Sequence, residues 1–495
     1  MPTLETLPFD NTYARLPGAF YTRLDPTPLE HPHLVAFNPE AAALIGLDPA
    51  EAARPEFVEY FGGVRRLPGS DPLAMIYAGH QFGHFVPQLG DGRAILLGEV
   101  RGPDGVAWDL HLKGAGQTPF SRRGDGRAVL RSVIREYLAS EAMHGLGIPT
   151  SRALCIVGSE EEVYRESIET GAMLVRLAPS HVRFGSFEVF YYRDQFDLLA
   201  LLADYVIAHH YPELEGLADR HARLLETVVL RTARLLADWQ AVAFAHGVMN
   251  TDNMSILGLT LDYGPYGFLD AYDPGFVCNH SDHHGRYAFD RQPEIAYWNL
   301  GRLAQAMLPL LAEEPEEAAG VAYAALDPYR PAFRARYAEL MAAKLGLLER
   351  RDGDEVLLAR LLALLQRNAV DYAIFFRSLG CFDSAPAARN DALRDQFLDR
   401  EAFDAWANDY RARLAAEGSE DAARAARMDR VNPRYVLRNY LAQQVIERAT
   451  EARDYAEIER LRALLADPFT DRPGMEAHAG YPPDWARRIV VSCSS

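Results

Sequence analysis

Apolar positions recur along this chain in two registers, and the places where one gives way to the other mark its parts. Through residues 1–70 neither register holds, because prolines interrupt it, and only a short helix over 39–47 is predicted. From Met75 the apolar runs become short and glycine-bounded. A turn at Gly90–Arg93 leads into A-I-L-L-G-E-V, a second turn at Gly102–Gly105 follows, and W-D-L-H-L-K closes an antiparallel hairpin. In that second strand Trp108, Leu110 and Leu112 alternate with Asp109, His111 and Lys113, so Lys113 points away from the apolar face. The register then becomes helical. Positions 129, 130, 133, 134, 137 and 138 form one apolar stripe with Glu136 at its edge. Three more strands are expected at 153–158, 162–166 and 172–178, and after Tyr191 the pattern is helical almost to the end. Helices are expected over 196–210, 221–245, 294–312, 317–346, 354–374, 400–416, 434–450 and 453–465. The predicted class is α+β: an extension at 1–70, a β-rich part at 71–190, a helical part at 191–330 and a further helical region and tail at 331–495.

Composition narrows the classes of function. A chain of 495 residues can hold two or three cores at about 150 residues each. The net charge of −18 argues against nucleic acid or an anionic membrane as the main partner. The first residues carry acids and prolines without an apolar core, and no apolar run approaches the ~20 residues of a spanning helix, so neither a signal peptide nor a membrane span is expected and the location is cytoplasmic. Cys155, Cys278, Cys381 and Cys493 lie far apart, which fits neither a zinc finger nor a disulfide scaffold. Of 51 basic residues only Lys113 and Lys344 are lysines. A compact ammonium retained among arginines makes Lys113 the first candidate for a phosphate contact, with an exposed hairpin lysine as the alternative, whereas Lys344 reads as part of a solvated helix face.

The richest stretch for chemistry is His246–Gly264, H-G-V-M-N-T-D-N-M-S-I-L-G-L-T-L-D-Y-G. Its central apolar run, Ile256 to Leu261, reads as a buried hairpin that brings Asn253 and Asp262 together as metal ligands. Protein kinases arrange a catalytic loop and a D-F-G turn in this way, but here Val248 occupies the place of the catalytic Asp and cannot accept a proton, which leaves Asp252 as the nearest replacement. A surface loop rich in Asn, Asp and Gly is the competing reading. Upstream, Gly114–Arg127 gathers glycines with Arg122, Arg123 and Arg127, a composition suited to an anion-binding nest although it matches no named phosphate motif. Glu136 follows the lysine strand in the order that pairs such a glutamate with Lys113. Arg176, between Val175 and Leu177, needs an anionic partner, either a phosphate or a structural carboxylate, and Arg183 follows it closely. The Cys278–His284 cluster lacks a second ligand pair and reads as a polar loop.

Taken together, G-D-G-R, H-L-K-G-A-G-Q-T-P-F-S-R-R-G-D-G-R, the run from Arg176 to Gly185, the His246–Gly264 stretch and the terminal S-C-S-S closely resemble the selenoprotein O family, also called YdiU-like, over nearly the whole chain. The resemblance implies a protein-kinase-like, two-lobed fold that holds ATP in an inverted orientation. The activity it implies is transfer of AMP, or UMP from UTP, to hydroxyl side chains of proteins, with redox-related proteins among the candidates. Carried onto matching positions, Gly90, Gly92, Arg93, Lys113, Asp125, Gly126, Arg176, Arg183 and Asp262 would hold the nucleotide. Asn253 and Asp262 would hold Mg²⁺ or Mn²⁺, Asp252 would accept the proton, and Glu136 would orient Lys113. The resemblance also suggests a redox pairing of Cys278 with Cys493, against which stands the ordinary reduced state of cytosolic thiols.

Overall fold

The computed structural model describes residues 1–492 as a mixed α and β chain. The first segment supplies β1 (Tyr21–Arg23), β2 (His33–Phe37), α1 (Pro39–Leu44) and α2 (Pro55–Phe61). Asn38 starts α1 by accepting from the amides of Glu40 and Ala41 at 3.1 and 3.2 Å, and Pro39 stands where no amide is needed. Then come β3 (Leu73–Met75), the small ribbon of β4 (Gly79–Gln81) and β5 (His84–Val86), the hairpin of β6 (Ala94–Arg101) and β7 (Ala107–Lys113), and β8 (Ala128–Val129). After α3 (Leu130–Gly145), β9 (Arg152–Tyr164) and β10 (Ile168–Ala178) complete the main sheet. It has eight antiparallel strands in the order β1–β3–β6–β7–β10–β9–β2, with β8 beside β10.

The period-two pattern sorts the two faces of the sheet. Ile95, Leu97, Leu110, Leu112, Val175 and Leu177 pack under Ala41, Ile45, Phe57 and Phe61 of the N-terminal segment. Leu96, Ile156 and Leu174 pack on the other face against Val133, Ile134 and Tyr137 of α3. Lys113 and Arg176 extend from this second face, opposite Leu174 and His111 in the ladder. The two strands expected at 153–158 and 162–166 are one continuous β9. The Ser159 hydroxyl donates to the Gly171 carbonyl at 2.7 Å, so the polar residue is satisfied inside the ladder and does not end it.

The helical part begins with α4 (Phe184–Tyr191), α5 (Phe196–His210) and α6 (Arg220–Ala241), then the short pair β11 (Phe244–Ala245) and β12 (Gly267–Phe268). It continues through α7 (Gln292–Leu311), α8 (Pro315–Leu326), α9 (Tyr329–Lys344), α10 (Asp354–Arg367), α11 (Tyr372–Ser378), α12 (Asp391–Arg394), α13 (Arg400–Ala416), α14 (Asp421–Met428), α15 (Asn439–Glu451) and α16 (Ala456–Ala466). Two expected helices are broken. The 317–346 stretch divides at Asp327–Pro328, where proline removes an amide, and the 354–374 stretch divides at Ala369, whose φ is +49°. The last helices return to the sheet. Both α15 and α16 pack on α3, where the Tyr137 hydroxyl donates to Glu459 at 2.7 Å. None of the helices among the described residues is long and apolar enough to cross a membrane.

Lys344 overturns its sequence reading. It is buried, with Nζ 4.7 Å from the Phe376 ring centroid and 5.3 Å from that of Tyr372. Burial pushes its pKa down to about 7. The unfolded chain therefore holds a proton, up to about pH 10.4, that the folded chain releases above about pH 7, and native stability rises with pH across that window. Lys344→Met is expected to raise stability at pH 7 by about 1–3 kcal/mol and to flatten that rise, as read by urea unfolding at pH 7 and pH 9.

Candidate active site

A cavity of about 810 Å³ opens between the second face of the sheet and the loops that precede β12. Gly90, Gly92, Arg93, Lys113, Asp125, Gly126 and Arg176 line one side, and Val248, Asn250, Asp252, Asn253 and Asp262 line the other. Its size suits a nucleotide-sized ligand. Two glycines let the Gly114–Arg127 loop close over the turn before β6. Gly90 has a φ of +119° and a Cβ there would lie 2.6 Å from the Phe120 ring. Gly126 has a φ of +72° and its Cβ would lie 2.0 Å from the Gly116 carbonyl oxygen. Arg93, Arg122 and Arg123 are exposed at the rim and form no ion pair among the described residues, while Asp125 is engaged by Arg165 at 2.7 Å.

Behind the rim lies a buried ion network. Glu136, on α3, accepts from Lys113 through one carboxylate oxygen and from Arg176 through the other, the latter at 3.2 Å. Arg176 also donates to Asp262, whose second oxygen accepts from Arg183 at 2.5 Å. Burial alone would raise the Asp262 pKa, but the charges of Arg183, Arg176 and Lys113 outweigh it and hold the carboxyl well below the usual range. Burial also lowers the pKa of Lys113, against the pull of Glu136. Arg176 thus has two carboxylate partners, and it also lines the cavity. Arg183 does not line the cavity. It is 2% exposed, lies over the Tyr77 ring at 4.5 Å, and donates to the Asp252 carbonyl at 2.8 Å.

Sequence reasoning missed the layer beneath Arg176. His111 Nδ1 receives an N–H from Arg176 at 2.8 Å, which requires a lone pair there and puts the ring proton on Nε2, 3.2 Å from Asp91. Burial depresses the His111 pKa and so favours that neutral form. Asp91 is the acid of G-D-G-R, and its carboxylate also accepts from the Met75 amide at 3.0 Å. The alternation of Asp109, His111 and Lys113 on one face of β7 was the available signal for this layer.

The opposite wall is a turn, Thr251–Asn253, and the loop behind it. The expected hairpin at 256–261 is reduced to one bridge, Met254 to Thr260, and the turn at Ser255–Gly258 fills the space between; Asn253 and Asp262 still come to the same cavity. Asp262 has a φ of +56°. Asp252 is buried, and burial lifts its pKa to about 6 despite the hydrogen bond from Gln81 at 3.0 Å. Its other oxygen, Oδ1, has no hydrogen-bond partner among the described residues. Asn253 donates to the Val248 carbonyl at 2.9 Å, which fixes the amide so that its oxygen stays available. One carboxylate and one amide oxygen are hard donors of the kind that suit a divalent cation such as Mg²⁺ or Mn²⁺, and no cluster of three or more His, Cys, Asp or Glu that could hold a metal occurs among the described residues. Cys278 lies outside this cavity, where its thiol donates to the Pro265 carbonyl at 2.7 Å, and Cys493 lies outside the described residues.

A cationic cavity with paired oxygen donors on its far wall suits a nucleotide, and comparison with known families supplies the class of protein. The family model described as "Protein adenylyltransferase SelO" matches residues 3–466, and the chain belongs to this family. It is 64% identical over 497 residues to the "Protein nucleotidyltransferase YdiU" of Thioalkalivibrio sulfidiphilus and 60% identical over 495 residues to that of Myxococcus xanthus, in each case across 100% of both chains. Nucleotidyl transfer is the activity that family and relatives share in their names.

Because Glu136 is the shared counter-ion of Lys113 and Arg176, removing it strands buried charge. Glu136→Ala is expected to cost about 3–5 kcal/mol of stability, measured as the shift in urea midpoint against wild type.

Proposed function

We propose that the protein transfers AMP from ATP to Ser, Thr or Tyr hydroxyls of protein substrates and releases pyrophosphate, with UMP transfer from UTP as a second use of the same cavity. The observation that carries this reading is the meeting of Lys113, Arg176 and the rim arginine Arg93 with Asp252, Asn253 and Asp262 in one cavity. A protein-kinase-like, two-lobed organisation accounts for it: a strand lysine, a helix glutamate, a loop asparagine and an aspartate at the following turn occur in that order along the chain, and helices α15 and α16 brace the helix bearing the glutamate.

Valine at position 248 argues against the usual phosphoryl-transfer base and favours an inverted nucleotide. In that pose the β- and γ-phosphates lie toward Lys113 and Arg176, and the α-phosphate lies toward Asp252. The acceptor oxygen attacks the α-phosphorus, its proton passes to the Asp252 carboxylate, and pyrophosphate departs with the electrons of the broken P–O bond. Asp262 and the Asn253 oxygen would hold Mg²⁺ or Mn²⁺, which would neutralise phosphate charge. Arg183, behind the wall, orients Asp262 and braces the Asp252 backbone in place of gripping phosphate.

ATP labelled on the α- or γ-phosphate tests the reading. Protein-bound label from α supports it, label from γ identifies a conventional phosphotransferase, and label from neither identifies a nucleotide-binding scaffold. Asp262→Ala is expected to abolish transfer. A base with a pKa of about 6 in the free protein must be ionised to act, so kcat/KM is expected to fall about tenfold per unit as pH drops below about 6, and a flat kcat/KM profile from pH 5 to 8 would remove Asp252 from the role.

A further inference from the structure

The ribbon of β4 and β5 carries none of the side chains assigned above to the nucleotide, yet it is fastened to the Asp252 turn at several points. The His80 amide donates to Thr251 Oγ1 at 2.7 Å, and the His80 ring is held by the buried carboxylate of Glu188 at 2.6 Å. Gln81 Nε2 donates to Asp252 Oδ2 at 3.0 Å. Gly79 supplies the clearance, since a Cβ there would sit 2.9 Å from Asp252 Oδ1. At the tip, Phe82 adopts a φ of +50°, a left-handed conformation that is strained for a bulky residue and persists only when its surroundings impose it. They do so here. The Phe82 amide donates to Asn250 Oδ1 at 3.1 Å and to the Tyr287 hydroxyl at 3.0 Å, and that hydroxyl in turn donates to Asn250 Oδ1 at 2.6 Å. Glycine would occupy this corner without strain, whereas the phenyl ring packs beside the Tyr287 ring with centroids 5.2 Å apart, and both Gln81 and Phe82 line the cavity beside Asp252.

We propose that the Gln81–Phe82 turn is the acceptor subsite of the transfer reaction, where the Phe82 ring supports the apolar stem of an incoming Ser, Thr or Tyr side chain and Gln81 positions the Asp252 carboxylate to meet its hydroxyl. This rests on the transfer reaction proposed above. With Oδ2 occupied by the Gln81 amide, Oδ1 is the oxygen left without a donor among the described residues, and the acceptor O–H is the donor proposed for it. In the balanced step the O–H bond breaks and its proton goes to Asp252. The freed electron pair forms the bond to the α-phosphorus, and pyrophosphate carries off the pair of the broken P–O bond. Phe82 touches the acceptor, whereas Gln81 acts through Asp252 and is a positioning residue.

The subsite predicts that acceptor and nucleotide parameters separate. Synthetic peptides each carrying one Ser, Thr or Tyr are screened with α-labelled ATP and wild-type protein, and the best acceptor is used for kinetics. Phe82→Gly is expected to lower kcat/KM for that peptide about tenfold or more while KM for ATP stays within about twofold, and Phe82→Tyr is expected to retain activity. Gln81→Met, which keeps length and loses the donor, is expected to lower kcat about tenfold with KM for ATP and the melting temperature unchanged. A loss that falls on KM for ATP, or on melting temperature in step with activity, overturns the subsite, as does full activity in both variants. Wild-type protein that transfers no α label overturns the AMP-transfer reading and the subsite with it, an outcome distinct from intact wild-type transfer with unaffected variants.

Discussion

Three buried cations, Lys113, Arg176 and Arg183, share two carboxylates, Glu136 and Asp262, and most of the molecule can be understood as the means of holding that unequal set in place. Charges out of water are tolerated only with partners of good geometry. Here the partners come from far apart in sequence: a strand, a helix, a second strand, a short helix start and a left-handed turn. None of these elements can shift alone without exposing an uncompensated charge to an apolar interior. The excess of positive over negative charge in this set is continued at the rim by Arg93, Arg122 and Arg123, so that an otherwise acidic protein presents a cationic patch at one spot.

The same set separates two kinds of residue that a motif groups together. Lys113 and Arg176 face the cavity and could meet a ligand directly, while Glu136 and Arg183 stand behind them and fix their direction. His111 and Asp91 form a further layer, in which a neutral imidazole transmits the carboxylate to the guanidinium. Such layering keeps the front residues pre-organised, so that a ligand need not order them on arrival.

Much of this was legible in the sequence, for physical reasons that differ by element. The hairpin of β6 and β7 was visible because period-two alternation is strict where one face is apolar and the other carries Asp109, His111 and Lys113. The helix bearing Glu136 was visible because its stripe is long. What escaped were features decided by contacts between distant segments. Ser159 continues a strand because Gly171 happens to offer it a carbonyl. Lys344 looks solvated in its own helix and is buried only because Tyr372 and Phe376 of another helix cover it. The ribbon at Gly79–Val86 is too short for periodicity, and its importance lies in bonds to residues about 170 positions away.

The two outermost strands of the main sheet, β1 and β2, both come from the N-terminal segment, and β2 lies against β9, whose residues are made more than a hundred positions later. During synthesis β1 can pair as soon as β3 emerges, whereas β2 leaves the ribosome long before its partner β9. Once docked, these short strands present little backbone for a neighbouring molecule to extend. The segment that contains the strand waiting longest for its partner is thus the one that forms both edges of the finished sheet.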